Sequence, residues 1–125
     1  MGIIALDHVQ LAMPIGKEDQ ARQFFCDILG FVEVAKPPMM AARGGIWLVS
    51  GSVNLHLGVE KEFIPAKKAH VALIVEDYIN LIDRLTHRNF PIKHDAELAG
   101  VRRFFTEDCF GNRIEIIDFQ SPNTQ

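Results

Sequence analysis

Residues 6–12 read LDHVQLA and residues 69–75 read AHVALIV, and each stretch begins one copy of a repeated pattern. The two copies also end alike, with VNLHL at residues 53–57 and NRIEII at residues 112–117. Each copy therefore has a histidine near its start and a metal-capable side chain near its end. A duplication of this kind predicts two equivalent modules related by pseudo-symmetry.

The spacing of four potential ligands follows the duplication. His8 and His70 lie 62 residues apart, and His56 and Glu115 lie 59 residues apart. Only a small difference in length separates the two halves. In the pseudo-symmetric fold that such a repeat builds, these four side chains at equivalent positions are predicted to converge on one point.

Composition and charge narrow the class of protein. The chain has 125 residues, an ordinary hydrophobic fraction of 48% and a formal net charge of −3. The sequence has no basic stripe, so nucleic acid is not expected as a partner. No stretch approaches the ~18 apolar residues of a membrane span. The N-terminus lacks a secretory signal, and the two cysteines have no metal or redox spacing. A cytoplasmic protein is expected.

Each half is predicted to fold as βαβββ within an α+β protein. The single domain covers residues 1–125, with module one at residues 1–60, a linker at residues 61–68 and module two at residues 69–122. The strands are assigned from alternating apolar and polar residues bounded by Gly, Pro and Asn.

The first helix is predicted from an apolar stripe at helical spacing. The stripe consists of Ala21, Phe24, Phe25, Ile28 and Leu29. Gly30 suits the left-handed residue that ends such a helix, and Asn89 takes the same role after a second helix at residues 77–88. The prolines at positions 37 and 38 predict a flexible loop through Arg43. Residues 37–45 could act as a lid or could equally be an ordinary loop.

Strand alternation predicts where the four candidate ligands point. His56 stands between two leucines and Glu115 between two isoleucines, so the apolar neighbours face the helices and the two polar side chains face away. By the same alternation His8 and His70 point away from the helices. Three imidazoles and a carboxylate on the uncovered face are a ligand set for Zn, Ni, Fe, Mn or Co.

Each of these residues also has a structural interpretation. A single histidine on a strand is more often a hydrogen-bonded structural residue than a ligand, and Glu115 alone could be half of an ion pair. The joint pattern at repeat-equivalent positions is what favours a metal site. His87 and His94 lack the repeat relation and are left out of the site.

These segments resemble the glyoxalase / bleomycin-resistance / extradiol-dioxygenase superfamily, the vicinal oxygen chelate proteins, over nearly the whole chain. The matching segments are LDHV at residues 6–9, Ala21 to Phe31, LHL at residues 55–57, AHVA at residues 69–72, and FFTED at residues 104–108 continuing into GNRIE at residues 111–115. The last is similar to the family pattern D-P-x-G-N-x-x-E, with Cys109 in the place of proline.

The resemblance implies paired βαβββ modules that form a curved, U-shaped mixed sheet with the helices on its outer face. It implies a divalent metal at the centre of that sheet, with His8, His56, His70 and Glu115 as ligands. Glu115 is then the candidate catalytic base. A homodimer is expected on family grounds, with the site made either within one chain or across two.

Several functions are compatible with such a site. The resemblance implies a metal-dependent lyase or isomerase, transferase or dioxygenase acting on a small oxygen-rich substrate that is chelated through vicinal oxygens. Glyoxalase I enzymes usually have Glu where this chain has His56, which argues against lactoylglutathione as the substrate. The alternatives are a metal-free bleomycin-resistance-type binding protein and a ligand-sensing module.

Three further residues are candidates for substrate binding. Arg103 could attract an anionic substrate if it faces inward, although a lone surface arginine is the commoner case. Trp47 and Phe105 could form walls of the pocket, although large aromatic residues are more often plain core.

Overall fold

The computed structural model describes residues 1–122 as two compact units. Unit one is Met1–Ile64, and unit two begins at Pro65. The boundary falls inside the predicted linker at residues 61–68. The last three residues of the predicted domain, 123–125, lie outside the described residues.

Unit one contains a four-stranded mixed sheet in the order β1-β4-β3-β2. Its elements are β1 (Val9–Met13), α1 (Glu18–Arg22), a π-helical segment (Gln23–Ile28), β2 (Val32–Val34), α2 (Pro38–Ala41), β3 (Ile46–Ser50) and β4 (Val53–Val59). Strands β1 and β4 are parallel, and the other pairs are antiparallel. Because parallel strands need a crossover, the helical segment connects β1 to the rest of the sheet.

The helix of unit one widens in its second half. The Leu29 N–H donates to the Phe24 carbonyl, five residues earlier, at 3.1 Å, which is the π-helical spacing. Gly30 then ends the helix with a φ of 85°, as its position after the apolar stripe predicts. The buried members of that stripe are Ala21, Phe24, Phe25 and Ile28. They form the core of the unit with the apolar residues of β3 and β4.

Unit two repeats the arrangement with the order β5-β8-β7-β6. Its elements are β5 (Val71–Val75), α3 (Tyr78–His87), β6 (Lys93–Asp95), β7 (Arg103–Glu107) and β8 (Arg113–Asp118). Strands β5 and β8 are parallel, like β1 and β4. The predicted α+β fold of two βαβββ modules is therefore confirmed.

The helix of unit two packs on one face of its sheet. The Tyr78 and Phe104 rings lie 5.4 Å apart, centroid to centroid, and Phe104, Ile114 and Ile116 are 0% exposed. Asn89 ends the helix with a φ of 65°, the predicted left-handed conformation. The helix leaves the opposite face of the sheet uncovered.

Two elements differ from the sequence prediction. The alternation of apolar and polar residues over residues 4–13 predicts a strand of that length, but β1 begins only at Val9, and Ile3, Ile4 and Leu6 are exposed. Residues 38–41 form one helical turn instead of an irregular loop, since Pro38 stands at a favourable first position. Within residues 1–122, the helices are all too short or too polar to cross a membrane.

Candidate functional site

Each sheet has one face that carries most of the candidate residues, and we call it the polar face. In unit one, Leu55 and Leu57 on β4 are 1% and 2% exposed and belong to the core. His56 between them points to the other side, as strand alternation predicts. Its cross-strand neighbours are Gln10 on β1 and Trp47 on β3.

Three aromatic rings form a continuous stack on the polar face of unit one. The His8 and His56 rings lie 4.1 Å apart with an interplanar angle of 18°. The His56 and Trp47 rings lie 4.2 Å apart with an angle of 5°. His56 therefore lies between the other two rings, and its position is set on both sides.

The stack forms one side of an open pocket of about 460 Å³. Gln10 and Asn54 contribute amide groups to the lining, and Met40 from α2 contributes an apolar side chain. Burial lowers the pKa of His56 below its ordinary value, and the nearby His8 ring acts in the same direction against the opposing charge of Asp7. A neutral imidazole has a lone pair, so His56 is suited to bind a metal ion.

The polar face of unit two holds the second predicted pair. Glu115 is 7% exposed although both neighbours on β8 point into the core. Its Oε1 lies 2.9 Å from Nε2 of His70. A proton on one of these two atoms makes the contact a hydrogen bond.

The ring of His70 is oriented by a backbone carbonyl. Its Nδ1 lies 2.9 Å from the carbonyl oxygen of Lys68. A carbonyl can only accept, so Nδ1 carries a proton and donates it. This arrangement directs Nε2 at Glu115, and it is the usual way in which proteins orient a metal-binding histidine.

Arg103 joins Glu115 to a second carboxylate. Its Nη1 donates to Oε2 of Glu115 at 3.0 Å, and its Nη2 donates to Oδ2 of Asp95 at 2.7 Å. Burial opposes the charge on Arg103, but the bonds to the two carboxylates outweigh it and raise the pKa of the guanidinium. The Glu97 N–H, more than Arg103, holds the pKa of Asp95 below its ordinary value. The candidate base is therefore held from both of its oxygens.

Phe105 lies opposite Glu115 in the sheet and contacts three side chains on the polar face. The His70 ring meets it edge-on at 5.5 Å between centroids. The Arg113 guanidinium carbon lies 4.0 Å from the centroid of its ring, and that of Arg103 lies 5.4 Å away. Phe105 is thus part of the polar face rather than of the core.

The turn between β7 and β8 stabilises the two strands that carry Arg103, Phe105 and Glu115. The buried Asp108 carboxylate accepts bonds from the backbone N–H groups of Phe110 and Asn112 and from the Asn112 side chain. Gly111 adopts a φ of 90°, and the Asn112 amide oxygen accepts the Ala66 N–H. These residues, which carry the most specific part of the family pattern, have a structural role.

The donor sets of the two units suit a divalent metal. Among residues 1–122, no group of three or more His, Cys, Asp or Glu side chains is assembled so as to hold an ion. Unit one contributes the pair His8 and His56, and unit two contributes His70 and Glu115. In the second pair an oriented nitrogen and a carboxylate oxygen already face each other at 2.9 Å, so the residues present fit the predicted metal. The convergence of all four on one ion stays a prediction.

Two charged residues on the polar face of unit two were not expected from sequence. Asp95 lies on a three-residue strand with no clear pattern, and its pairing with Arg103 depends on the register of β6. Arg113 lies two residues before Glu115 on the same strand. Strand alternation places it on the same face, so its location could have been predicted.

Two comparisons with known proteins, one with family models and one with solved structures, agree on one family. Residues 5–116 match the Glyoxalase/Bleomycin resistance protein/Dioxygenase superfamily. A glyoxalase family protein from Bacillus anthracis is 39% identical, with a TM-score of 0.88 over 93% of this chain and 95% of that chain. None of the curated protein sequences matches.

Two more distant structures share the fold. The antibiotic binding protein TnmS3 from Streptomyces sp. CB03234 is 19% identical, with a TM-score of 0.67 over 94% of this chain and 98% of that chain. A variant of the fosfomycin resistance protein FosX from Listeria monocytogenes, solved with Mn(II) and 1S,2S-dihydroxypropylphosphonic acid, is 13% identical. Its TM-score is 0.72 over 92% of this chain and 90% of that chain.

Proposed function

The chain belongs to the glyoxalase, bleomycin resistance protein and dioxygenase superfamily, and we propose that within it the protein is a divalent-metal enzyme. Its reaction would be that of a lyase or isomerase, a transferase or a dioxygenase. Its substrate would be a small oxygen-rich molecule that chelates the metal through vicinal oxygens. His8, His56, His70 and Glu115 are the proposed ligands.

The observation that carries this proposal is the pair of His70 and Glu115. Their facing atoms are 2.9 Å apart on a sheet face that the helix leaves open. The Lys68 carbonyl fixes the His70 ring, and Arg103 fixes the far oxygen of Glu115. Outer hydrogen bonds of this kind orient the ligands of protein metal sites.

The chemistry follows from the groups that surround the pair. A bound divalent cation would supply Lewis-acid stabilisation of negative charge on the substrate oxygens. Glu115 is the proposed base, since its Oε1 is directed at the site while Oε2 is held by Arg103. Trp47 and Phe105 are proposed to contact the substrate, and Arg103 is proposed to hold Glu115 in position for it.

The metal proposal draws on one relative in particular. The FosX variant contains Mn(II), and Mn is one of the five metals that the donor set suits. At 13% identity that likeness concerns the fold alone.

One observation favours a second candidate, a metal-free binding protein. The stack of His8, His56 and Trp47 borders an open pocket with Met40 on its lining. Aromatic rings and methionine are well suited to planar apolar ligands. TnmS3, an antibiotic binding protein, has the same fold.

We further propose a cytoplasmic homodimer. Ile3, Ile4 and Leu6 are 95%, 96% and 78% exposed, and exposed apolar side chains in one short segment are typical of an interaction surface. Within residues 1–122, Cys26 and Cys109 form no disulfide, which suits a reducing compartment. Light scattering after size exclusion should give twice the chain mass of 14.1 kDa.

Elemental analysis tests the metal proposal. The protein, purified without chelator, should contain a stoichiometric divalent metal, and H70A and E115Q should lose it. H87A is the matched control, since His87 lies at the end of α3 and its Nδ1 bonds the Asp83 carbonyl of the same helix.

Thermal melting provides the second readout. Addition of the preferred ion to metal-free protein should raise the melting temperature, and the rise should be absent in E115Q. Wild-type protein that contains no metal and shows no rise with Zn, Ni, Fe, Mn or Co would refute the enzyme proposal. Binding of a planar apolar ligand by that metal-free protein would support the second candidate, a binding protein.

A further inference from the structure

We propose that the polar face of unit two contains a binding site for the acid group of a small anionic molecule, a carboxylate or a phosphonate, formed by Arg113, Lys93 and Phe105. The identification of this anion as the substrate rests on the proposed function. The binding site itself does not, because all of its residues belong to unit two and none is a proposed metal ligand.

The site is an open pocket of about 330 Å³ between β6, β7 and β8. Lys93, Phe105 and Arg113 line it, one from each strand. Lys93 and Phe105 are direct cross-strand partners. A volume of this size at the lower end of the range for small-molecule pockets suits a compact ligand.

Arg113 is held in place by an aromatic ring rather than by a carboxylate. Its guanidinium carbon lies 4.0 Å from the centroid of the Phe105 ring, a cation–π contact. Such a contact orients the guanidinium and leaves its N–H groups free to bind an oxyanion. Carboxylates and phosphonates accept two parallel hydrogen bonds from this group.

The charges around the pocket are not balanced. Lys67 faces Glu107 at 3.4 Å, and Arg103 is occupied by Glu115 and Asp95. Within residues 1–122, neither Lys93 nor Arg113 forms an ion pair. The lining contains three cationic side chains and one anionic side chain. Two positive charges therefore remain for a ligand.

The pocket adjoins the proposed catalytic pair. Arg113 precedes Glu115 by two residues on β8 and so lies on the same face. Phe105 is the cross-strand partner of Glu115, and its ring also meets His70. A molecule whose acid group binds Arg113 would extend its apolar part over Phe105, toward the pair. The anion would thereby be the end of the substrate that determines recognition.

The test uses metal-free wild-type protein, so that it is independent of the metal proposal. Amide chemical shifts are followed by NMR during titration with phenylphosphonate, with benzoate, with inorganic phosphate and with the neutral benzyl alcohol. Saturable shifts centred on β6–β8 are expected with at least one of the two aryl acids. Which of them binds more tightly tells a phosphonate from a carboxylate.

Variants then assign the binding to the named residues. R113Q and K93Q should each weaken binding of the aryl acid at least tenfold, R113K should retain part of it, and F105L should weaken the aryl acid more than phosphate. K61Q, an exposed lysine of unit one, is the matched control and should bind as wild type does. Melting curves establish that each variant is folded.

Three results would overturn the proposal. One is the absence of saturable binding of either aryl acid to wild-type protein. Another is binding that is unchanged in both R113Q and K93Q. The third is equal affinity for benzyl alcohol, since the positive charge would then have no part in recognition. If wild-type protein binds the aryl acid but binds no divalent metal, only the proposed function is refuted.

Discussion

Replacing Arg103 with glutamine should destabilise the protein by about 3 kcal/mol. Arg103 makes one charge-assisted hydrogen bond to Glu115 and one to Asp95, and such bonds contribute roughly 1.5–3 kcal/mol each. The Glu115 side chain is 9% exposed, so water cannot replace its lost partner, and the full loss is expected there. Asp95 is 19% exposed and keeps the Glu97 N–H, so its share should be smaller.

Arg22 provides a matched control. It also bonds two carboxylates, those of Asp19 and Glu33, but it is 41% exposed where Arg103 is 18% exposed. Exposed ion pairs contribute only about 0–1 kcal/mol. R22Q should therefore cost less than ~1 kcal/mol.

Urea denaturation followed by circular dichroism measures both variants. For a chain of this size a loss of about 3 kcal/mol corresponds to a fall of roughly 10 °C in melting temperature. A second substitution, E115Q, in the R103Q background should recover part of the loss, because it removes a buried charge whose Oε2 has lost its partner. Equal losses for R103Q and R22Q would show that burial of Glu115 does not determine the energetics of this face.

Three other predictions concern the turn, the imidazole stack and the thiols. D108A should lose about 2 kcal/mol in urea denaturation, since three donors lose their buried acceptor; an unchanged midpoint would contradict this role. Burial lowers the pKa of His56 below its ordinary 6.5, so its contribution to the stability of metal-free protein is present above pH 6.5 and is lost as the pH falls through the lower folded-state value. H56Q should therefore flatten the pH dependence of the unfolding free energy on the acid side of neutrality, and identical slopes for the two proteins would exclude this explanation. Burial raises the pKa of Cys109 to about 12, so a disulfide reagent at pH 8 should label it slowly in the native protein and quickly in urea; rapid native labelling would refute the burial.

The sequence was sufficient for most of the strands because alternation has a direct structural meaning. Leu55 and Leu57 are in the core and His56 is on the polar face, as expected from a period of two. The helix ends were predictable as well, since few residues tolerate a positive φ. Gly30 and Asn89 both adopt it.

Other features depend on pairing partners that the sequence does not identify. Residues 4–8 alternate like a strand, but β4 begins only two residues before the partner of Val9, so the sheet ends there. The approach of Asp95 to Arg103 depends on the register between β6 and β7. The loop between these strands contains no turn signature that would define the register.

The strand positions of the candidate ligands follow from the sequence, and their role as ligands stays a prediction. The proximity of His70 and Glu115 follows from the parallel pairing of β5 with β8. The additional hydrogen bond that each of these two side chains makes could not be predicted. The partner of His70, for example, is the Lys68 carbonyl, which belongs to the backbone of an irregular segment. The hydrogen bonds of Arg103 to two carboxylates likewise depend on strand pairing that the sequence does not show.

The wide turn between Phe24 and Leu29 has a consequence for the evolution of chain length. A hydrogen bond that spans five residues holds one residue more than the ordinary helical turn, while the helix axis continues. A homologue that lacks one residue here could close a normal turn and keep the same left-handed stop. Single-residue insertions and deletions among homologues should therefore be tolerated at this position more readily than in the strands, where a shift of one residue would turn every following side chain to the wrong side.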